Sequence, residues 1–244
     1  MSDQKPRTDG APWRNLYGRR HGKRLRPRQE RLLAEALPAL RPSGVAWDSN
    51  PDRHEVDLAA FHPGARELWL EIGFGGGEHL IAMAKSRPDI ALVGCEPFVN
   101  GVAMCLMGVE DEELTNVRIH DGDAREVFDV AAAGCVARIF VNYPDPWPKT
   151  RHHKRRFIGP ENLASLARIA APGARLHIAT DIPDYVRTTM EAIAGQAAFD
   201  WTAETPADWR SPWPDWPGTR YEAKALREGR TPTYLTFRRS PEGS

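Results

Sequence analysis

Leu68-Trp69-Leu70-Glu71-Ile72-Gly73-Phe74-Gly75-Gly76-Gly77-Glu78 is the stretch that decides the fold. Its apolar start reads as a buried strand over 68–74, and the residues after it, 78–85, have helical spacing. Glycines between a strand and a helix permit a tight turn and let the backbone approach a ligand closely. The dinucleotide fingerprint G-x-G-x-x-G would need glycine at position 78, where Glu78 stands, so that match fails. What remains is Glu-x-Gly-x-Gly-x-Gly, from Glu71 through Gly73 and Gly75 to Gly77. A carboxylate just ahead of the glycines would repel a pyrophosphate and suits a cationic ligand.

Outward from this turn, strand-like and helical segments alternate. Strands are expected at 91–95, 117–120, 136–142, 174–180 and 233–238, and helices at 29–40, 100–112, 161–171 and 184–194. The Pro- and Trp-rich stretch 206–218 reads as a loop. Alternation of this kind predicts an α/β fold, a doubly wound and mainly parallel sheet. Ligands in such sheets bind beyond the carboxyl ends of the strands. The chain has 244 residues, enough for one domain with a large core, predicted over 29–244. Ahead of it, residues 1–28 lack periodicity and read as a basic, flexible arm that orders on RNA. Residues 1–31 hold ten Lys or Arg against three acids, so this end carries +7 and the remainder −7. A basic arm on an acidic body fits a polyanionic partner, against the simpler reading of a solubilising tail. Cys95, Cys105 and Cys135 show no metal or redox spacing and read as small buried thiols. No apolar run is long enough for a membrane span, and the charged N-terminus lacks a signal core. A reducing, cytoplasmic setting is expected, with no membrane association.

A second informative stretch is Asn142-Tyr143-Pro144-Asp145-Pro146-Trp147-Pro148-Lys149, directly after the strand expected at 136–142. Each proline fixes its own φ and restricts the residue before it, which leaves Asp145 little freedom. Lys149, Arg151, Lys154, Arg155 and Arg156 follow, with His152 and His153 among them. An immobilised acid, an aromatic and a cationic strip suit a site that reads a nucleobase while gripping phosphates, although charge runs are commonly only solvated. Two further acids fall at strand ends: Glu96, about 20 residues beyond the glycines, where ribose hydroxyls are typically bound, and Asp123 after the third strand.

The glycine turn with Glu71, Glu96 and Asp123 resembles the cofactor site of class I S-adenosylmethionine methyltransferases, a Rossmann-like fold. Pro144-Asp145-Pro146-Trp147, Lys149, the run His153 to Phe157, Thr180-Asp181 and Thr219-Arg220-Tyr221-Glu222 make the resemblance specific. In order and kind these motifs resemble bacterial tRNA (guanine-N7-)-methyltransferases over nearly the whole chain. Asn142-Tyr143 stands where aromatic or apolar residues are usual, and Arg220 where lysine is common. The resemblance implies methylation of guanosine 46 in the tRNA variable loop, with S-adenosylmethionine as donor and no metal. It implies that Glu71, Gly73, Gly75, Glu96, Asp123 and Asp145 line the cofactor site, with Asp145 also catalytic. It implies that Lys149, Asp181, Thr219, Arg220, Tyr221 and Glu222 face the substrate. Beyond tRNA no obligatory protein partner is implied, and monomer or homodimer both fit.

Guanine N7 carries a lone pair and no proton, so the chemistry needs orientation and charge stabilisation rather than a general base. Guanine N1–H and the N2 amino group are donors that one carboxylate can accept together, which suits Asp181 or Glu222. Trp147 and Tyr221 are candidate stacking surfaces for bases. The rival readings are a methyltransferase of another RNA or of protein, and a non-catalytic RNA-binding module. The second has no need of Glu71, Glu96 and Asp123 together. A dehydrogenase is disfavoured by Glu78.

Overall fold

The computed structural model describes residues 16–241. Four apolar residues and Glu71 make β1 (Leu68–Ile72), buried along its length. β2 (Ala91–Cys95) and β3 (Val117–His120) lie to one side of it, in parallel register. β4 (Val136–Asn142) and β5 (Ala170–Thr180) lie to the other side, also parallel. β6 (Phe199–Trp201) and β7 (Thr233–Arg239) complete the sheet, in the order β3-β2-β1-β4-β5-β7-β6, with β7 antiparallel to both neighbours. The strand order reverses direction between β1 and β4. A crevice opens at such a switch point, beyond the carboxyl ends of the strands.

Side chains alternate along each strand, so the sheet has two apolar faces. Leu68, Leu70 and Ile72 pack with Val93, Ile139, Val141 and Leu176 on one face. Trp69 packs with Leu92, Phe140 and Leu80 on the other. The helices α3 (Glu78–Ser86), α4 (Val99–Asp111), α6 (Pro160–Ile169) and α7 (Pro183–Ala194) cover these faces.

Several elements differ from the expectations. The helix expected at 29–40 is two, α1 (Pro27–Glu35) and α2 (Leu37–Leu40). Pro38 has no N–H to give to residue 34, and its ring would strike that carbonyl, so the chain breaks and restarts. The helix expected to reach 171 stops at Ile169, and Ala170 already pairs with Val136. α5 (Ala124–Val130), β6 and α9 (Arg220–Arg227) were not foreseen, and α8 (Ala207–Arg210) lies within the stretch read as loop.

Residues 1–15 of the expected arm lie outside the described residues. Residues 16–26 form no helix or strand, yet they are fastened to the body. Val99 N–H donates to the Arg20 carbonyl at 2.9 Å, Gly22 N–H to Asn100 Oδ1 at 2.6 Å, and Asn100 Nδ2 to the Lys23 carbonyl at 2.7 Å.

The glycine turn after β1 rests directly on α4. A Cβ added at Gly101 would collide with the Gly75 carbonyl oxygen, which is backbone and cannot swing aside. Gly101→Ala is therefore expected to cost about 1–3 kcal/mol in urea unfolding. The same change should displace the turn, measurable as weaker binding of the ligand that the turn holds.

Candidate functional site

The switch-point crevice is a cleft of about 820 Å³, lined among others by Gly73, Glu96, Asp123, Tyr143, Asp145, Trp147 and Tyr221. β1 delivers the glycine turn to its floor. Gly75 stands at φ 58° and a Cβ there would lie 2.8 Å from the Tyr221 ring, so glycine lets the turn, the ring and α4 meet. Gly73 N–H donates to the Cys95 carbonyl at 2.7 Å, tying the turn to the end of β2.

Glu96 follows β2 and is 8% exposed. Its two carboxylate oxygens accept from Gly75 N–H and Phe98 N–H, each at 2.8 Å. Burial raises its pKa to about 7; these two backbone donors pull it down, and nearby Asp145 and Glu71 add to the rise. Asp123 caps α5, accepting from Arg125 N–H at 3.0 Å and from the Arg125 guanidinium at 2.9 Å. Asp145 opens onto the cleft, and desolvation raises its carboxyl as well. Neither Glu96 nor Asp145 has an ion-pair partner among the described residues.

The loop carrying Asp145 is held in an uncommon shape. Tyr143 and Trp147 both occupy the left-handed region, at φ 50° and 41°, where non-glycine residues are strained. Arg156 secures the loop. It is 6% exposed, and its guanidinium donates to the Pro146 carbonyl at 2.9 Å, Thr188 Oγ1 at 2.7 Å and Asp184 Oδ2 at 2.6 Å. Its place in the cationic strip suggested a phosphate contact, but its charge is spent inward. Tyr17 and Arg155 close over Trp147, with the Tyr17 ring edge-on at 6.0 Å and the Arg155 guanidinium 5.0 Å from the indole centre.

Other residues singled out in the sequence stand outside the cleft wall. Glu71 projects to the opposite face of the sheet from Leu70 and Ile72, where its carboxylate pairs with His79 Nδ1 at 2.8 Å. Asn142 Nδ2 lies 3.4 Å from its other oxygen. Asp181 is paired with Arg230. Glu222 accepts from Trp216 Nε1 at 2.8 Å and from the Tyr234 hydroxyl, so both its oxygens are engaged within the protein. Neither Asp181 nor Glu222 presents the free carboxylate expected for reading a base. Thr219 caps α9, its hydroxyl accepting from Glu222 N–H at 3.1 Å. Arg220 pairs with Glu78 and lies over Gly76. Thr219, Arg220 and Glu222 line a separate shallow groove beside Leu226. Lys149 is exposed at the start of the short 3-10 turn Thr150–Arg155. Tyr221 alone of the expected substrate set lines the cleft. Tyr143, Trp216 and Tyr234 were not singled out as site residues. Tyr143 lay in plain view between Asn142 and Pro144, whereas the partners of the other two are visible only in three dimensions.

Glu96 carries a stability cost with a definite sign. Its folded pKa, about 7, exceeds the ordinary 4.5, so the folded state holds the proton more tightly. That contribution is fully present below the ordinary carboxylate range and is lost as pH rises through about 7, at most about 3 kcal/mol in all. Glu96→Gln should remove this decline. In chemical denaturation the variant is expected to compare more favourably with the wild type at about pH 8 than at about pH 5. A stability difference independent of pH would contradict the assignment.

A family model described as "Putative methyltransferase" matches residues 65–235. A tRNA (guanine-N(7)-)-methyltransferase from a Ruegeria species is 58% identical over 230 residues, covering 94% of this chain and 89% of its own. One from Rhodospirillum rubrum is 44% identical over 242 residues, covering 99% and 92%. Among solved structures, a 16S rRNA (adenine(1408)-N(1))-methyltransferase from Catenulisporales acidiphilia superposes with TM-score 0.52 at 14% identity, over 76% of this chain and 91% of that one. That likeness supports the class I methyltransferase fold and no more. The matched region spans the glycine turn, the acids and the Asp145 loop, and these relatives cover nearly the whole chain at 44% and 58% identity: the chain belongs to the tRNA (guanine-N(7)-)-methyltransferase family.

Proposed function

We propose that this protein transfers the methyl group of S-adenosylmethionine to N7 of guanosine 46 in the variable loop of tRNA. The observation that carries the reading is the pair Glu96 and Asp145. Two acids, Glu96 buried and Asp145 exposed to the opening, share one cleft without an ion-pair partner among the described residues. Such a cleft is complementary to a cation. The residues present fit a sulfonium nucleoside. Glu96 stands where ribose hydroxyls are met in this class of fold, Asp123 stands at the adenine end, and space beside Gly73 is open. When bound, the donor supplies an activated methyl carbon: the N7 lone pair forms the carbon–nitrogen bond as the carbon–sulfur bond breaks, and no proton is released.

The chain's own residues have the remaining tasks. Gly73 and Glu96 fix the donor's position. Asp145, stiffened by Pro144, Pro146 and the left-handed residues on either side, meets the positive charge as it passes to the purine. Glu71 acts from beneath, fixing His79 at the start of α3. Position 46 lies inside folded tRNA, so the base must be extruded to reach the cleft. The basic residues of 16–31 and the exposed members of the strip from Lys149 to Arg155 are suited to holding phosphates. Cytoplasmic residence follows from this substrate. Among the described residues no helix is long and apolar enough to cross a membrane.

The test uses labelled S-adenosylmethionine with unmodified tRNA transcripts carrying guanosine or adenosine at position 46. Label recovered as 7-methylguanosine from the guanosine transcript alone is the expected result. Transfer at another position would move the assignment to another methyl acceptor. Asp145→Asn is expected to lower turnover by roughly 100-fold or more while the protein stays folded. Full turnover with unchanged donor affinity would remove Asp145 from the mechanism.

A further inference from the structure

Two aromatic rings face the cleft from distant parts of the chain. Tyr143 directly follows β4, its N–H donating to the Ala179 carbonyl at 2.7 Å and its backbone left-handed at φ 50°. Tyr221 is the second residue of α9, its ring against Gly75. The Thr219 cap and the Glu222 carboxylate, held by Trp216 and Tyr234, set α9 in place. The two rings lie within 18° of parallel, with centroids 6.5 Å apart. A flat ring between two such faces needs about 7 Å, two van der Waals contacts of about 3.5 Å, so the two rings must part slightly to admit one.

Trp147, another aromatic of the cleft, is already occupied. It is met by the edges of Tyr17 at 6.0 Å and His152 at 5.9 Å, and by the Arg155 guanidinium. Tyr221, by contrast, is 43% exposed. The charged groups that act on the Tyr143 and Tyr221 hydroxyls are mostly acids. They are Glu222 and Asp181 around Tyr143, and Glu96, Glu78 and Asp145 around Tyr221, opposed there by Arg220.

We propose that Tyr143 and Tyr221 form an aromatic cage for the extruded guanine, and that the cage binds the ring more tightly once N7 is methylated. The proposal rests on the reading of the site as a tRNA guanine-N7 methyltransferase. Guanine enters neutral and leaves as a cation. The faces of tyrosine rings are negative, so stacking gains an electrostatic component only as positive charge develops. An interaction that strengthens between ground state and transition state accelerates the reaction, whereas uniform binding does not. Tyr143 and Tyr221 thereby become catalytic residues, touching the reacting base itself. Glu222, Trp216 and Tyr234 become positioning residues that act through α9.

The experiment measures affinity of the enzyme, saturated with S-adenosylhomocysteine, for tRNA of one sequence with and without 7-methylguanosine at position 46. Mildly acidic buffer keeps the N1 proton on the methylated ring and so its full charge. The methylated tRNA is expected to bind about 2- to 30-fold more tightly. Tyr221→Leu should abolish that preference, and Tyr221→Phe, which keeps the aromatic face, should retain it. An unchanged urea-unfolding midpoint of Tyr221→Leu separates loss of the cage from loss of the fold. Equal affinities in the wild type, or a preference that survives Tyr221→Leu, overturns the proposal. Absence of methyl transfer to tRNA by the wild type would instead refute the underlying reading.

Discussion

Two backbone N–H groups, from Gly75 and Phe98, converge on the Glu96 carboxylate. The rest of the site depends on this contact, because it ties the glycine turn after β1 to the segment that opens α4. Gly101 seats the turn on that same helix, and Tyr221 then packs on the turn. The anchor is an acid that folding has desolvated, held near neutrality rather than fully ionised at physiological pH. A neutral anchor would be cheaper for stability. An acid makes sense where a ligand brings the missing positive charge.

Asp145 is placed by a different device. Its loop is strained at Tyr143 and Trp147 and stiffened by proline, and Arg156 ties the Pro146 carbonyl to α7. Strain of this kind persists only where the surroundings over-determine it, and here the buried guanidinium does so. Glu71 and Asp123, by contrast, each have a side-chain partner, His79 and Arg125. The four acids of the sequence pattern thus divide in the structure. Two are engaged by neighbouring side chains, and two have no ion-pair partner among the described residues.

The strands and the glycine turn were legible because continuous apolar runs and turn glycines are local signals. The acids at the strand ends were legible by position for the same reason. α9 was not, since only Ala225 of its eight residues is buried. α5 is seven residues long, too short for periodicity to stand out beside the Asp123 motif. The engagement of Asp181 by Arg230 and of Glu222 by Trp216 and Tyr234 joins residues whose approach depends on β7 lying next to β5. The inward turn of Arg156 likewise needs α7 as a partner, so in sequence it was one more member of a basic strip.

The central claim is that Glu96 waits, partly protonated, for a cationic methyl donor. Calorimetry of S-adenosylmethionine binding in buffers of different ionisation enthalpy tests it most directly, because the dependence on buffer counts protons. With Glu96 near 7 in the free protein, binding is expected to release a proton fraction at about pH 6 to 7 and much less at about pH 8, and Glu96→Gln should release distinctly less at about pH 6 to 7. Binding with no proton release anywhere in that range would contradict the account.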